Sequence, residues 1–122
     1  MAIQKILIVD DSPTERYYLA DILVRNGYTV TTADNGEEAM TKIRADRPQL
    51  ILMDVVMPGS NGFQVTRAIS KDPELADIPV IICSSKNQET DRIWGMRQGA
   101  KDYFVKPVDP EALLARITSL AA

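Results

Sequence analysis

Polar side chains capable of chemistry follow four short apolar segments of the chain, at the points where those segments end. Asp10 and Asp11 come directly after ILIV, and Asp54 comes after LILM. Ser84 follows VIIC, and Lys106 follows YFV. If the segments are parallel strands, their carboxyl ends meet at one edge of a sheet, where the ligands of such sheets bind. A single aspartate there is as easily a helix cap, but a complete set after four strands favours one shared site.

The residue types at this edge suit phosphoryl transfer assisted by a magnesium ion. Clustered carboxylates repel one another unless a cation neutralises them, and Mg²⁺ prefers hard oxygen ligands. We predict that Asp11 and Asp54 bind Mg²⁺, or Mn²⁺ in its place, directly and that Asp10 binds through water. The backbone carbonyl of Val56 is a further predicted ligand. Asp54 can also act as a nucleophile that forms an acyl phosphate, while Lys106 offsets charge on the phosphoryl oxygens.

Five apolar segments rich in β-branched residues are predicted to be the strands that position these side chains. Each is followed by a segment with helical spacing, and their continuous apolar character indicates burial on both faces. The sequence therefore predicts an α/β fold, a doubly wound five-stranded parallel sheet built from five βα units. The predicted strands are Ile6 to Val9, Tyr28 to Thr32, Leu50 to Met53, Val80 to Cys83 and Tyr103 to Val105.

Capping residues mark the helices between these strands. Ser12 is a predicted N-cap, with Pro13 at the first helical position and Glu15 completing a capping box. Gly95 interrupts the helical pattern of residues 87–98 and costs up to ~1 kcal/mol relative to alanine. We therefore expect the helix before the last strand to be weak or mobile.

Composition limits the class of protein. The 122 residues fit one domain over residues 1–122, with no room for an output domain. The net charge is -3 with both signs spread along the chain, which argues against a nucleic-acid partner. The chain has no histidine, and its one cysteine, Cys83, is expected to fill the core. No leader or apolar stretch of membrane-spanning length is visible, so we expect a cytoplasmic protein without membrane insertion.

The sequence resembles response-regulator receivers along essentially its whole length, through the motifs ILIVDDS, LILMDVVMPGSNG, PVIICSS and DYFVKP. The resemblance implies a flavodoxin-like (βα)5 fold with strand order 2-1-3-4-5. It also implies that Asp54 is the phosphoacceptor and that Asp10 and Asp11 form the metal-binding acidic pair. Lys106 is implied to contact the phosphoryl group.

Further roles follow from the resemblance alone. In receivers, the residue at the position of Ser84 hydrogen-bonds the phosphoryl group, and the aromatic residue at the position of Tyr103 turns inward behind it. The peptide bond before Pro107 is implied to be cis. Val56 and Lys86 are implied to flank the phosphoryl group and to tune its lifetime. We expect slow self-dephosphorylation, because the side chain of Val56 cannot orient a water molecule.

The resemblance also implies partners. A CheA-like histidine kinase would donate the phosphoryl group, and a target protein would bind the face formed by the fourth helix, fifth strand and fifth helix. Trp94 lies on that fourth helix and fits half-buried packing and a partner surface equally well. The stretch SSKNQETDRIWGMRQGAKDYFVKP looks particularly like the stand-alone receivers of type IV pilus and twitching-motility chemosensory systems.

Other functions stay open at this point. A receiver is a signalling switch that catalyses only its own phosphorylation and dephosphorylation, and it can also serve as a phosphorelay intermediate or a phosphate sink. An aspartate-based phosphohydrolase would carry a second acid two residues after its nucleophile, where this chain has Val56. A flavin- or nucleotide-binding domain would need a phosphate-cradling loop after the first strand, where Asp10 and Asp11 would repel a phosphate unless a metal intervened.

Overall fold

The predicted strands form one parallel sheet in the computed structural model, which describes residues 2–121. The strands are β1 (Lys5–Val9), β2 (Thr29–Ala33), β3 (Leu50–Met53), β4 (Val80–Ser84) and β5 (Asp102–Val105). Their order in the sheet is β2-β1-β3-β4-β5, so the fold class and the strand order expected from the sequence are confirmed. Each observed strand differs from the predicted one by no more than one residue at either end.

Helices cover both faces of the sheet, which explains the continuous apolar strands. They are α1 (Pro13–Arg25), α2 (Gly36–Asp46), α3 (Gly62–Lys71), α4 (Glu89–Arg97) and α5 (Pro110–Ala121). Leu7 and Val9 of β1 pack in one cluster with residues of α2 and α3, whereas Ile6 and Ile8 pack with residues of α1 and α5. Cys83 is buried in the second cluster, as expected. Within residues 2–121, no helix combines the length and apolar character needed to cross a membrane.

The start of α1 contains half of the predicted capping box. Pro13 is the first helical residue, and the Glu15 amide donates a hydrogen bond to Ser12 Oγ at 3.3 Å. The return bond would require the backbone amide of Ser12. That amide donates instead to Asp10 Oδ1 at 2.9 Å, so the predicted box is corrected to a simple N-cap. The helix start is thereby connected to the acidic edge of the sheet.

A short antiparallel hairpin, which the sequence patterns did not predict, lies between β3 and α3. In this hairpin, Val56–Met57 pairs with Ser60–Asn61. Gly62, the first residue of α3, lies so close to the Asp54 backbone that a Cβ atom at position 62 would be 1.9 Å from the Asp54 carbonyl oxygen. Only glycine fits there, and its close approach places the start of α3 against Asp54.

The helix α4 is continuous through Gly95, although glycine interrupts the helical pattern of the sequence there. Gly95 is buried, whereas its neighbours on α4 are exposed to solvent. Its backbone lies close to side chains of β4 and β5. Packing at this one position accounts for a glycine that helix propensity alone disfavours. The expected mobility of α4 stays a prediction.

Candidate functional site

Main-chain hydrogen bonds at the carboxyl ends of the strands place Asp10 beside Asp54. The Asp54 amide donates to the Val9 carbonyl at 2.9 Å, and the Asp10 amide donates to the Ala33 carbonyl at 3.0 Å. Both aspartates therefore lie one residue beyond the buried parts of adjacent strands. Asp10 is 2% exposed and Asp54 is 7% exposed, whereas the neighbouring Asp11 is exposed.

The carboxylates of Asp10, Asp11 and Asp54 form a cluster. One oxygen atom from each lies within 4.8 Å of the other two. Lys106 follows β5 and extends across the cluster, where its Nζ donates to Asp10 Oδ2 at 2.8 Å and to Asp54 Oδ1 at 3.3 Å. Asp11 makes no hydrogen bond or ion pair with any residue among 2–121. Its carboxylate is therefore available to a ligand.

Every polar group of Asp10 is engaged by a neighbour. Its carboxylate accepts hydrogen bonds from the Ser12 amide and from Lys106 Nζ, and its amide donates to Ala33. Its carbonyl oxygen accepts a hydrogen bond from Arg16 Nη1 at 2.7 Å. Arg16 carries no signal of this contact in the sequence, because an arginine near the start of a helix is typical of a solvated surface. The four contacts fix the position of Asp10.

Burial and charge together perturb the titration of this cluster. Burial raises the pKa of Asp54 from 3.8 to about 6; the charge of Asp10 adds to the rise, and Lys106 opposes it. Burial alone lowers the pKa of Lys106, but its hydrogen bond to Asp10 and the charge of Asp54 outweigh burial and raise that pKa. One ammonium group offsets only part of the repulsion among three carboxylates. An oxygen-only donor set with excess negative charge fits a hard divalent cation such as Mg²⁺.

Hydrogen bonds connect Ser84, at the end of β4, to the ring of Tyr103. Ser84 is buried, and its Oγ accepts a hydrogen bond from the Lys86 amide at 3.1 Å. The Tyr103 ring is also buried, and its hydroxyl donates to the Lys86 carbonyl at 2.8 Å. Burial raises the pKa of the Tyr103 phenol. The Lys106 amide donates to the Ser84 carbonyl at 2.9 Å, and the peptide bond before Pro107 is cis.

Three of the residues singled out in the sequence have exposed side chains. Val56 begins the hairpin after Asp54 and is 61% exposed, and Lys86 is exposed in the loop after β4. Their effect on phosphate lifetime and the Val56 carbonyl as a metal ligand stay predictions. Trp94 on α4 is 50% exposed. Half of its surface is therefore open to a partner while the rest packs against the protein.

A cleft of about 270 Å³ opens beside Asp11. It is also lined by Asp34 and Asn35, which follow β2, and by Pro58 in the turn of the hairpin. The cleft exposes the Asp11 side of the carboxylate cluster to solvent.

A doubly wound parallel sheet whose carboxyl edge carries three aspartates, a buried serine and a lysine has the fold and side-chain set of a signalling receiver domain. Comparison with protein families supports this class directly. The response regulator receiver domain family matches residues 6–118, and the chain belongs to that family.

The chain is similar to individual receivers along nearly its whole length. The chain is 53% identical over 118 residues to Protein PilH of Pseudomonas aeruginosa, covering 97% of this chain and 98% of PilH. Among solved structures, chemotaxis protein CheY4 of Vibrio cholerae matches with a TM-score of 0.89 and 32% identity, covering 98% of this chain and 99% of that one. The BeF3-activated receiver domain of Klebsiella pneumoniae RstA matches with a TM-score of 0.90 and 27% identity, covering 97% and 98%. Other relatives are longer: the chain spans 49% of the DNA-binding response regulator MtrA of Mycolicibacterium smegmatis.

Proposed function

We propose that this chain is a stand-alone receiver over residues 1–122 that accepts a phosphoryl group on Asp54 from a histidine kinase. The observation that carries the proposal is the surroundings of the Asp54 carboxylate. It is almost buried at the end of β3, with Lys106 Nζ 3.3 Å from one oxygen and two further carboxylates within 4.8 Å. This combination holds a nucleophilic oxygen beside the charges that phosphoryl transfer requires.

Asp11 and Asp54 would hold Mg²⁺ directly, Asp10 would hold it through water, and the Val56 carbonyl would complete the protein ligands. Mn²⁺ would serve in its place. A bound divalent ion supplies positive charge that offsets the carboxylates and the phosphoryl oxygens. The excess negative charge of the cluster, which Lys106 offsets only in part, supports this ligand set.

The side chains of the protein perform the transfer itself. An Asp54 carboxylate oxygen attacks phosphorus in line, so that an oxygen–phosphorus bond forms while the bond from phosphorus to the donor's imidazole nitrogen breaks. The negative charge of the Asp54 carboxylate is then replaced by that of the phosphoryl group. Lys106 exchanges its contact with Asp54 for a phosphoryl oxygen. The Ser84 hydroxyl, whose oxygen accepts a hydrogen bond from the Lys86 amide, donates its own hydrogen to another phosphoryl oxygen.

The signal leaves through a change in surface shape. Ser84, Lys86 and Tyr103 form a hydrogen-bonded series that begins at the phosphoryl site and ends beneath α4. A target protein would bind the face of α4, β5 and α5, where Trp94 is 50% exposed and Val105 is 44% exposed. This output needs no nucleic-acid or membrane contact. The protein would act as a switch rather than as an enzyme with a separate substrate.

The similarity to PilH supports a function for this protein in motility signalling by type IV pili. The identity of 53% extends over nearly the full length of both chains. We propose that the phosphodonor is a CheA-like kinase of a pilus chemosensory system in the cytoplasm. The stretch of residues 84–107, which contains Trp94, is the part of the sequence that favours this subfamily.

The experiment is phosphorylation by acetyl phosphate, followed by intact-protein mass spectrometry. Wild type with Mg²⁺ should gain one phosphoryl group, and excess EDTA should prevent the gain. Asp54→Asn should gain none, because an amide is not a competent nucleophile. Asp46→Asn, an exposed aspartate on α2, is the matched control and should behave as wild type. A phosphoryl group on Asp54→Asn at the wild-type rate would refute the proposal, and continuous turnover of acetyl phosphate would indicate a phosphohydrolase.

A further inference from the structure

Gly95 lies where α4 comes closest to the sheet. A Cβ atom at this position would be 2.9 Å from Ile82 Cδ1, 3.1 Å from Tyr103 Cδ2 and 3.3 Å from Phe63 Cε1. Carbon atoms in contact are ordinarily about 3.5–4.0 Å apart. The backbone of Gly95 is helical and has no positive φ, so its conformation does not call for glycine. Glycine is needed instead because a side chain would keep α4 from lying this close to the sheet.

The three neighbours of Gly95 have little room to yield. Ile82 is fully buried, Tyr103 is 6% exposed and Phe63 is 8% exposed. They belong to one small cluster beneath α4, and protein interiors are packed too densely to absorb an added methyl group without displacement. An added methyl group must therefore turn the end of the Ile82 side chain aside and shift α4 or the Tyr103 ring by a few tenths of an ångström.

The Tyr103 ring is also connected to the phosphoryl site. Its hydroxyl donates to the Lys86 carbonyl, and the Lys86 amide donates to Ser84 Oγ. A displacement of the ring caused at Gly95 would reach Ser84 through two hydrogen bonds. Conversely, a change at Ser84 would reach α4 through the ring that Gly95 covers.

We propose that Gly95 is a positioning residue for Tyr103: the absence of a side chain lets α4 lie on the ring and hold it inward. The size of the residue at this position then sets how strongly the phosphoryl site is coupled to the α4 face. The coupling between the phosphoryl site and the α4 face rests on the proposed function of the site. The positioning of Tyr103 by Gly95 concerns the resting protein alone.

The test uses Gly95→Ala, Ile82→Val, the double variant and Met96→Ala, an exposed neighbour on α4 as control. The first readout is the set of aromatic NMR signals of Tyr103 in the untreated protein. We expect these signals to move in Gly95→Ala, to stay in place in Met96→Ala, and to return toward wild type in the double variant. A partial return is expected, because Ile82→Val removes the atom closest to the added methyl group, whereas the contact with Tyr103 Cδ2 at 3.1 Å remains. A merely helix-stabilising effect of alanine would leave the Tyr103 signals unchanged.

The second readout is the response of Trp94 fluorescence to beryllofluoride with Mg²⁺, a mimic of the phosphoryl group. We expect Gly95→Ala to weaken the apparent affinity about fivefold or more, and the double variant to recover part of it. Unchanged Tyr103 signals in Gly95→Ala, or equal changes in Met96→Ala, would overturn the inference. The inference would also be overturned if neither Gly95→Ala nor the double variant folded, because Gly95 would then serve core packing alone. If wild type failed to bind beryllofluoride, the phosphoacceptor proposal would fall, while the untreated Tyr103 signals would still decide the role of Gly95.

Discussion

Replacing Asp54 by asparagine should stabilise the protein in the absence of divalent cations. Folding raises the pKa of Asp54 from 3.8 to about 6, chiefly through burial and then through the charge of Asp10. The folded state therefore holds a proton on this group more tightly than the unfolded state does. Stability from this group is greatest below the unfolded pKa and is lost as the pH rises through the folded pKa.

The magnitude follows from the same two values. Each pKa unit corresponds to about 1.4 kcal/mol, so the rise from 3.8 to about 6 amounts to about 3 kcal/mol lost above pH 6. The asparagine side chain carries no charge, and Lys106 would keep its 2.8 Å bond to Asp10. We therefore expect Asp54→Asn to be more stable than wild type at neutral pH by up to about 3 kcal/mol, the upper limit when no other contact is lost.

Urea unfolding in EDTA measures this difference. The advantage of Asp54→Asn should be largest at about pH 7.5 and should shrink as the pH falls toward about 4, because both proteins then carry a neutral group at position 54. Asp11→Asn, in the same cluster but exposed, should gain less than about 1 kcal/mol because solvent screens its charge. Added Mg²⁺ should stabilise wild type more than Asp54→Asn. Equal stability of wild type and Asp54→Asn at about pH 7.5, or a difference independent of pH, would refute this account of the cluster.

Other substitutions test separate parts of the site. Ser84→Ala should be phosphorylated but should lose most of the phosphate-induced NMR shifts on the α4 face; shifts equal to those of wild type would exclude Ser84 from the switch. Val56→Asn combined with Lys86→Glu should shorten the acyl phosphate lifetime about tenfold, or ~1.4 kcal/mol of barrier, because polar groups can orient water; timed loss of label would measure it, and an equal or longer lifetime would contradict the idea. Gly62→Ala should unfold the protein or reduce its stability by several kcal/mol, because its Cβ would overlap the Asp54 carbonyl. Circular dichroism during thermal unfolding would test this, and a wild-type melting curve would contradict it.

The sheet and the charged site could be predicted because their signals are local in the sequence. A strand buried on both faces has an uninterrupted apolar segment, and the polar residue after it marks the strand end, as with Asp54 after β3. Because the strands are parallel, their carboxyl ends lie at the same edge of the sheet, so the residues that follow them are expected to lie close together. The same reasoning could not find the hairpin Val56–Met57 with Ser60–Asn61, because two-residue strands are too short to show a periodic pattern.

Gly95 and Arg16 show a different limit of sequence reasoning. Helix propensity treats Gly95 as a defect because it considers the helix alone, whereas the atoms that require glycine belong largely to β4 and β5. Arg16 resembles an ordinary surface arginine, because its partner is a main-chain carbonyl, that of Asp10, which has no signature in the sequence. Contacts that depend on tertiary packing become visible only in the structure.

The different surroundings of Asp10 and Asp11 give the two neighbouring residues different roles in the proposed binding of a metal ion. Asp10 is fixed by four partners, whereas Asp11 faces the cleft without a partner among residues 2–121. If the cluster binds Mg²⁺ as proposed, an arriving cation would meet Asp11 first, and that residue would govern the association rate. Asp10 cannot move without breaking its own contacts, so it would hold its bridging water in a fixed place and would govern residence time and the choice among ions. Substitutions at the two positions should therefore separate the kinetics of ion exchange from its selectivity.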